Sequence, residues 1–508
     1  MSDTIKKLNK LEKDLNKVKQ YFYEQIKELE SSIRIYTHLD ADGLSSGAIL
    51  GKTFYRERIP YQIIVLKQLE REEISKISDQ VNNYNNLLIF SDFGSGQYLE
   101  LQKQLFHKKE FHNLIILDHH LPQKISDKNE IDMLGELHEE TSPWHINPYF
   151  YGIDGSYEIS GAGICYYFSK CLNEKNIDLS PIALIGANGD IQNQGPNKSF
   201  IGINSLILED AKSVNLIEVV NDLNFSAIKP LNEALAFSKD INLPGLINDA
   251  NRSLKLLQTS GILMENSEGK IKTLNDLNQE EKQKISSTII EYASVKFNIE
   301  PSQIIEKLII NRYLLIKEKV GSELHDIAEF SNLLNACGRT NSASLGIAIA
   351  MGDRKIAYEK SHDNLIEYKK LLVKSLSWLF KQNKIQEKEY IQYYFGEDVI
   401  PERVIGTITS MLIFEKSNRV DKTKPIFGVV KREDEDVYKI SGRAYKKIVK
   451  KGVNLSQAIR DACKLSNIDV LGGGHPPAAG TKVPVNKIEI FLENCNTIIK
   501  KQLQVRDN

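Results

Sequence analysis

Four short apolar runs, Ile33–Thr37, Ile63–Leu66, Leu87–Ser91 and Leu114–Leu117, recur about 25–30 residues apart with helical stretches between them. That spacing suits βαβ units and points to a parallel sheet. Ligands of such sheets sit outside the carboxyl ends of the strands, so the residues after each run carry the most information. His38-Leu39-Asp40-Ala41-Asp42-Gly43 follows the first run, Asp92 the third, and Asp118-His119-His120 the fourth. A further apolar stretch, Ile182–Ala187, leads into Gly189-Asp190. One Asp after a strand is ordinarily a helix N-cap. Four acidic ends with three histidines exceed what capping explains. Their mutual repulsion would destabilise the fold unless cations were bound.

Oxygen ligands with one or two imidazoles suit Mg²⁺ or Mn²⁺, and the histidines favour Mn²⁺. Two carboxylates in a D-x-D turn can serve two cations about 3.5–4 Å apart, an arrangement that favours hydrolysis of a phosphoester or phosphoanhydride. The sequence has no G-x-x-x-x-G-K-[ST] phosphate loop.

Elsewhere the pattern changes. Leu8, Leu11, Leu15, Val18, Phe22, Ile26 and Leu29 give residues 1–30 an amphipathic helix. It either packs on its own domain or serves as a short coiled-coil or docking arm. Residues 31–210 hold the acidic ends. Residues 211–330 read as a helical connector, punctuated by Leu243-Pro244-Gly245, with the polar stretch 267–300 expected to be a mobile surface segment. From 331 to 508, Gly-rich and β-branched segments alternate, among them Val404–Thr409, Ile426–Val430, Val437–Gly442 and Leu471–Gly480. The expected architecture is α/β: a parallel-sheet catalytic domain and a smaller α/β domain, joined by the connector. The string Gly472-Gly473-Gly474-His475-Pro476-Pro477-Ala478-Ala479-Gly480 suggests backbone lying close against a ligand. Lys439, Arg443, Lys446, Lys447, Lys450 and Lys451 form a basic run nearby, which taken alone reads as a solvated helix face.

With 66 Lys+Arg against 67 Asp+Glu, the chain has a net charge of -1 and no global basic field, so any polyanion contact must be local. Five cysteines without a C-x-x-C pair argue against a zinc ribbon or a disulfide framework. No apolar run reaches the length of a membrane span and no leader pattern opens the sequence, so a soluble, cytoplasmic setting is expected.

The order His38-x-Asp40-x-Asp42-Gly43, Asp92, Asp118-His119-His120, Gly189-Asp190 and then Gly472–Gly480 resembles the DHH phosphoesterase superfamily. Within it, the chain resembles the RecJ-like nucleases that carry a DHH-associated C-terminal domain. The strings Asn147–Gly155, Glu158–Gly163 and Leu334–Thr340 are similar to the archaeal branch, that of the GINS-associated nuclease. The likeness covers about 31–210 and 325–485 and leaves out the first helix. It implies a two-ion Mn²⁺ or Mg²⁺ centre held by His38, Asp40, Asp42, Asp92, Asp118, His119 and Asp190, with Asp92 between the ions. The match at His38 is looser than the rest. The resemblance further implies that His120 faces the scissile phosphate and that Asp118 is a ligand or supports one. Arg339, Ser441, Arg443, Gly473, Gly474 and His475 would hold substrate phosphates. The implied activity is a single-strand exonuclease, on DNA more than RNA and with 5′-to-3′ polarity, with GINS and the replicative helicase as partners. Two alternatives stand beside it: a phosphoesterase of oligoribonucleotides or cyclic dinucleotides, and a non-enzymatic helicase subunit.

Overall fold

The computed structural model describes residues 2–28, 32–81, 87–106, 114–123, 144–238, 240–241, 243–414, 419–432, 435–469 and 473–504. It divides into two units, 1–362 and 363–508.

In the first unit, helix α1 (Ser2–Glu28) precedes strand β1 (Ile33–His38), helix α2 (Ala41–Arg56), β2 (Tyr61–Leu66), helix α3 (Arg71–Val81), β3 (Leu88–Ser91), β4 (Leu114–Leu117) and β5 (Trp144–Ile146). The five strands form a parallel sheet in the order β2-β1-β3-β4-β5. Strands covered on both faces need apolar residues at nearly every position, and β3 and β4 are buried throughout. Tyr36, Leu88, Phe90, Leu114 and Ile116 share one core with Ile74, Ile77 and Val81 of α3. Helices α2, α4 (Gly161–Leu172) and α5 (Ser180–Gly189) pack against one another. The apolar stretch before Asp190 is therefore a helix, and that acid arrives at a helix C-terminus.

Of the two readings of α1, packing on its own unit is what the structure has. Leu11, Leu15, Val18 and Phe22 are fully buried. Phe22 stacks on Phe54 of α2 (centroids 5.3 Å apart) and meets Phe168 of α4 edge-on. Leu29 lies outside the described residues.

The connector departs from expectation. Strand β6 (Ile217–Leu223) pairs antiparallel with β7 (Ile309–Leu315), and this ribbon brackets a segment with its own apolar core, including Leu231, Leu257, Ile285 and Leu308. The polar stretch 267–300, expected to be a mobile surface, contains helix α6 (Gln279–Phe297). Asn278 and Glu281 close a capping box at its start, and it buries Ile285, Ile289 and Ala293. The second domain also begins later than residue 331. Helices α7 (Ile327–Arg339) and α8 (Ala343–Met351) pack on α2, and α7 also on α5, which places them in the first unit.

In the second unit, helix α9 (Ile405–Phe414), α10 (Leu455–Leu465) and α11 (Ile488–Gln504) accompany a six-stranded sheet ordered β12-β13-β11-β10-β9-β8. Its strands are β8 (Gln386–Glu387), β9 (Gln392–Phe395), β10 (Ile426–Lys431), β11 (Val437–Arg443), β12 (Gly473–His475) and β13 (Ala478–Pro484). The β-branched run Val404–Thr409 enters a helix, where Thr409 donates to the Ile405 carbonyl (2.7 Å) and Ser410 to the Gly406 carbonyl (2.8 Å). Back-bonding of this kind lets hydroxyl residues sit in a helix despite their strand-like composition. Among the described residues, no helix is long and apolar enough to cross a membrane.

Candidate metal centre

The loop from β1 to α2 brings the first acids to the carboxyl edge of the sheet. Asp40 is the N-cap of α2 and its Oδ1 accepts from the Gly43 amide (3.0 Å). Its Oδ2 lies 2.8 Å from His38 Nδ1. Burial works against both charges, yet the pairing wins: Asp40 is held well below the usual carboxylate range and His38 is raised well above 6.5 by Asp40 and Asp92. Asp42, in the first turn of α2, is fully buried and accepts from the Gly161 and Ala162 amides (2.7 and 3.1 Å) at the start of α4. Those amides favour its charge. Burial and the neighbouring Asp92 and Asp190 outweigh them and raise Asp42 well above the ordinary range.

Asp92 follows β3 with φ +63°, a left-handed conformation that Asp adopts more readily than most residues. It is 1% exposed. A Cβ on Gly161 would sit 2.8 Å from Asp92 Oδ1, so glycine there lets α4 approach the acid. His119 Nδ1 lies 2.7 Å from the Gly155 carbonyl. A carbonyl can only accept, so Nδ1 carries a proton, and Nε2, which faces the acids, is the nitrogen that would offer its lone pair to an ion. That Nε2 is 3.1 Å from Asp92 Oδ1, 3.3 Å from Asp190 Oδ2 and 3.6 Å from Asp42 Oδ2. Buried Gln192 donates to the same Gly155 carbonyl (2.9 Å) and is held in turn by Asn204 (2.7 Å). In this ion-free state burial disfavours the His119 cation, but Asp190 and Asp92 raise its pKa well above 6.5. Asp190 is itself raised by burial, Asp40 and Asp92, although His119 opposes the shift.

These side chains form two groups that share Asp92, and His120 completes a third with Asp92 and His119. Of the first two, one is His38, Asp40 and Asp92; the other is Asp42, Asp92, His119 and Asp190. Within each, the potential ligand atoms lie within 4.8 Å of one another. His38 Nδ1, both Asp92 oxygens and His119 Nε2 are buried and face only other members of the cluster. Buried polar atoms are rarely left so, and oxygens and imidazole nitrogens aimed at common points are what a hard or borderline divalent ion requires. The cluster can hold metal.

Asp118 does not join either group. Its Oδ2 accepts from the Ser95 amide (2.8 Å), and its Oδ1 meets the His120 amide (3.1 Å) and His120 Nδ1 (2.9 Å). Oδ1 thus holds His120, whose side chain is 49% exposed at the edge of the site, while Oδ2 is committed to the Ser95 amide. Burial penalises both groups, but each stabilises the other's charge: Asp118 falls well below its usual range and His120 rises. Asn147 Nδ2 braces the Ser95 hydroxyl and the His120 carbonyl (2.8 Å each). Ser95, Gln192 and Asn204 gave no signal in the sequence. Asn147 and Gly155 stood inside the strings that carried the resemblance, without an assigned role.

Arg339 lies at the last position of α7, in the first unit, and not in the domain that sequence assigned it. The other anticipated phosphate contacts are in the second unit. Ser441 and Arg443 pair through β13 with the last strand: Ser441 faces Gly480 and then Gly473, and Arg443 faces Ala478 and then His475. The pleat puts these positions on one face of the sheet. Arg443 donates to Ser410 of α9 (2.8 Å) and to Ser441 Oγ (3.1 Å).

Residues 226–309 match the family described as the DHH-CID domain, and residues 389–501 match the DHHA1 domain. An uncharacterized protein of Methanocaldococcus jannaschii is 31% identical over 493 residues, which is 97% of this chain and 99% of that one. Among solved structures, CDC45 from Entamoeba histolytica aligns with a TM-score of 0.64 and 13% identity, over 96% of this chain and 99% of that one. RecJ in complex with Mn²⁺ from Thermus thermophilus aligns with a TM-score of 0.55 and 16% identity, over 96% of this chain and 55% of that one. The chain therefore spans about half the length of that RecJ. At these identities the structural likeness speaks for the fold, and the sequence matches speak for descent. Taken with the two domain matches and the near full-length relative, the order of acids and histidines along the sheet edge makes this chain a member of the RecJ-like DHH superfamily.

Proposed function

We propose that the protein is a Mn²⁺- or Mg²⁺-dependent exonuclease that hydrolyses single strands, DNA in preference to RNA, from the 5′ end. The observation that carries this reading is the pair of ligand groups meeting at Asp92, whose oxygens and the facing His119 Nε2 have no other partner. The Mn²⁺ in the Thermus RecJ structure supports the choice of metal. In this proposal His38, Asp40 and Asp92 hold one ion, and Asp42, Asp92, His119 and Asp190 the other. Divalent ions there would neutralise phosphoryl oxygens and make a water molecule more acidic. The chain's own part is positional. Asp118 fixes Nδ1 of His120, which leaves Nε2 for a phosphate oxygen or for passing a proton to the departing oxygen. Arg339, and the face of the second unit formed by Ser441, Arg443 and Gly473–His475, would grip the strand's phosphates through cationic and backbone donors. Association with GINS and the replicative helicase belongs to the same proposal. α1 is a poor dock for either, because its apolar stripe is already buried.

The test is incubation with Mn²⁺ of DNA and RNA, single- and double-stranded, labelled at either end. Release of mononucleotides from the 5′ end of single-stranded DNA is expected. A protein that binds Mn²⁺ but cleaves none of these strands would defeat the proposal. It would favour the second reading, a non-catalytic helicase subunit, which the likeness to CDC45 along 99% of that chain recommends.

A further inference from the structure

We infer that helix α7 (Ile327–Arg339) sets the geometry of both metal sub-sites, with Asn335 and Ser331 as positioning residues. The inference rests on reading the cluster as a two-ion centre. Three contacts from one side of α7 carry it. Asn335 Oδ1 accepts from the Ala41 amide (3.0 Å), a contact between residues 294 positions apart. Ser331 Oγ accepts from Asn188 Nδ2 (2.8 Å), two residues before Asp190. Gly338 lies so close to the Leu39 carbonyl that no Cβ fits between them. One helix therefore touches the loop that carries His38, Asp40 and Asp42 and the turn that carries Asp190.

The contact at Ala41 has a specific consequence. Ala41 is the first residue of α2, and its amide is among the donors that a helix start leaves unpaired. Asp40 is the N-cap and already serves the Gly43 amide with Oδ1. With Asn335 occupying the Ala41 amide, Asp40 Oδ2 stays turned toward His38 and the shared point with Asp92. Remove Asn335, and the Ala41 amide, left without its partner beside Asp40, would compete for that carboxylate and draw it from the ion. Ser331 acts likewise on Asn188, whose Oδ1 takes Asn193 Nδ2 (3.1 Å) and so anchors the turn around Asp190. The helix is tied at its own start by a buried pair: Asp326, its N-cap, meets Arg312 of β7. Arg312 donates as well to the Phe225 carbonyl (3.0 Å), where the DHH-CID segment leaves the ribbon.

The experiment is Mn²⁺ titration of the full chain, read by calorimetry and by the resonance of free Mn²⁺, with circular dichroism as the check on folding. Wild type should bind two ions. N335A should weaken one of them about 10–100-fold, as loss of a partner behind a ligand typically does, while N335D, which keeps the acceptor, should retain both. H38A should already lack that ion, and adding N335A to H38A should change the remaining affinity no further. Should N335A fail to fold, S331A carries the test with a several-fold weaker ion at the other sub-site. Two ions bound to N335A or S331A at wild-type affinity would overturn the inference, as would an N335D that loses as much as N335A. Wild type binding no ion would sink the two-ion reading itself, and absence of nuclease activity would leave this result untouched.

Discussion

Replacing Asp190 with Asn should stabilise the ion-free protein and weaken the ion-loaded one. Ligand atoms of Asp42 and Asp92 lie within 4.8 Å of that of Asp190. At an effective dielectric of about 20, each pair within that limit repels, when both are ionised, by at least about 3.5 kcal/mol. The His119 imidazolium, 3.3 Å away, returns about 5 kcal/mol on the same basis. The balance is a net cost of at least about 2 kcal/mol, and the position of Asp190 as the C-cap of α5 adds a few tenths through the helix dipole. Asn has nearly the same shape and carries none of this charge, so in EDTA D190N should melt a few degrees above wild type. With Mn²⁺ at about 100 times its dissociation constant, each occupied site adds about 2.7 kcal/mol. Wild type would gain from two sites and D190N from little more than one, and their order should reverse. Differential scanning fluorimetry in EDTA and over an Mn²⁺ series measures both. A D190N that melts below wild type in EDTA, or gains as much from Mn²⁺, would refute the reasoning.

Asp118→Asn should lower turnover by about 10²–10⁴-fold through loss of the hold on His120, yet leave two-ion binding intact, because neither Asp118 oxygen faces the cluster; steady-state cleavage beside Mn²⁺ titration separates the two. The ion-free protein should lose stability as pH rises through and beyond 6.5. His38 and His119 are raised in the fold, so their contribution is complete below 6.5 and disappears as pH climbs through their higher folded values. Raised Asp42 and Asp190 act in the same direction above 3.8, whereas depressed Asp40 and Asp118 matter only as pH falls below it. The melting shift caused by Mn²⁺ should grow over the same range. Arg443→Ala should weaken single-strand binding and flatten the dependence of log affinity on log salt by about one, measured by fluorescence anisotropy across a salt series.

Much of this architecture was legible in the sequence because burial on both faces leaves a strong imprint. β1, β3 and β4 are short apolar runs ended by an acid or a histidine, and the carboxyl edge of a parallel sheet brings such ends together. What escaped had weaker imprints. β5 is three residues long, too short to show a period. β6 and β7 mix Glu218, Asn221, Asp222 and Asn311 with apolar residues because a two-stranded ribbon is only partly covered: Glu218 and Asn221 alternate to opposite faces and both are exposed. The helical start of α9 was hidden behind Ile405, Thr407, Ile408 and Thr409, whose β-branching suggests a strand until packing overrides it. In the site, ligand-bearing loops could be located from residue type. Which acid turns inward and which turns to His120 depends on the Ser95 amide, and the lone pair of His119 depends on the Gly155 carbonyl. Backbone partners of that kind have no side-chain signature.

Everything turns on whether two divalent ions meet at Asp92. Anomalous diffraction from crystals of the protein grown with Mn²⁺ measures this directly. The account predicts two peaks, one among His38, Asp40 and Asp92 and the other among Asp42, Asp92, His119 and Asp190. A single peak away from Asp92, or none in crystals where the cluster is open to solvent, would contradict it.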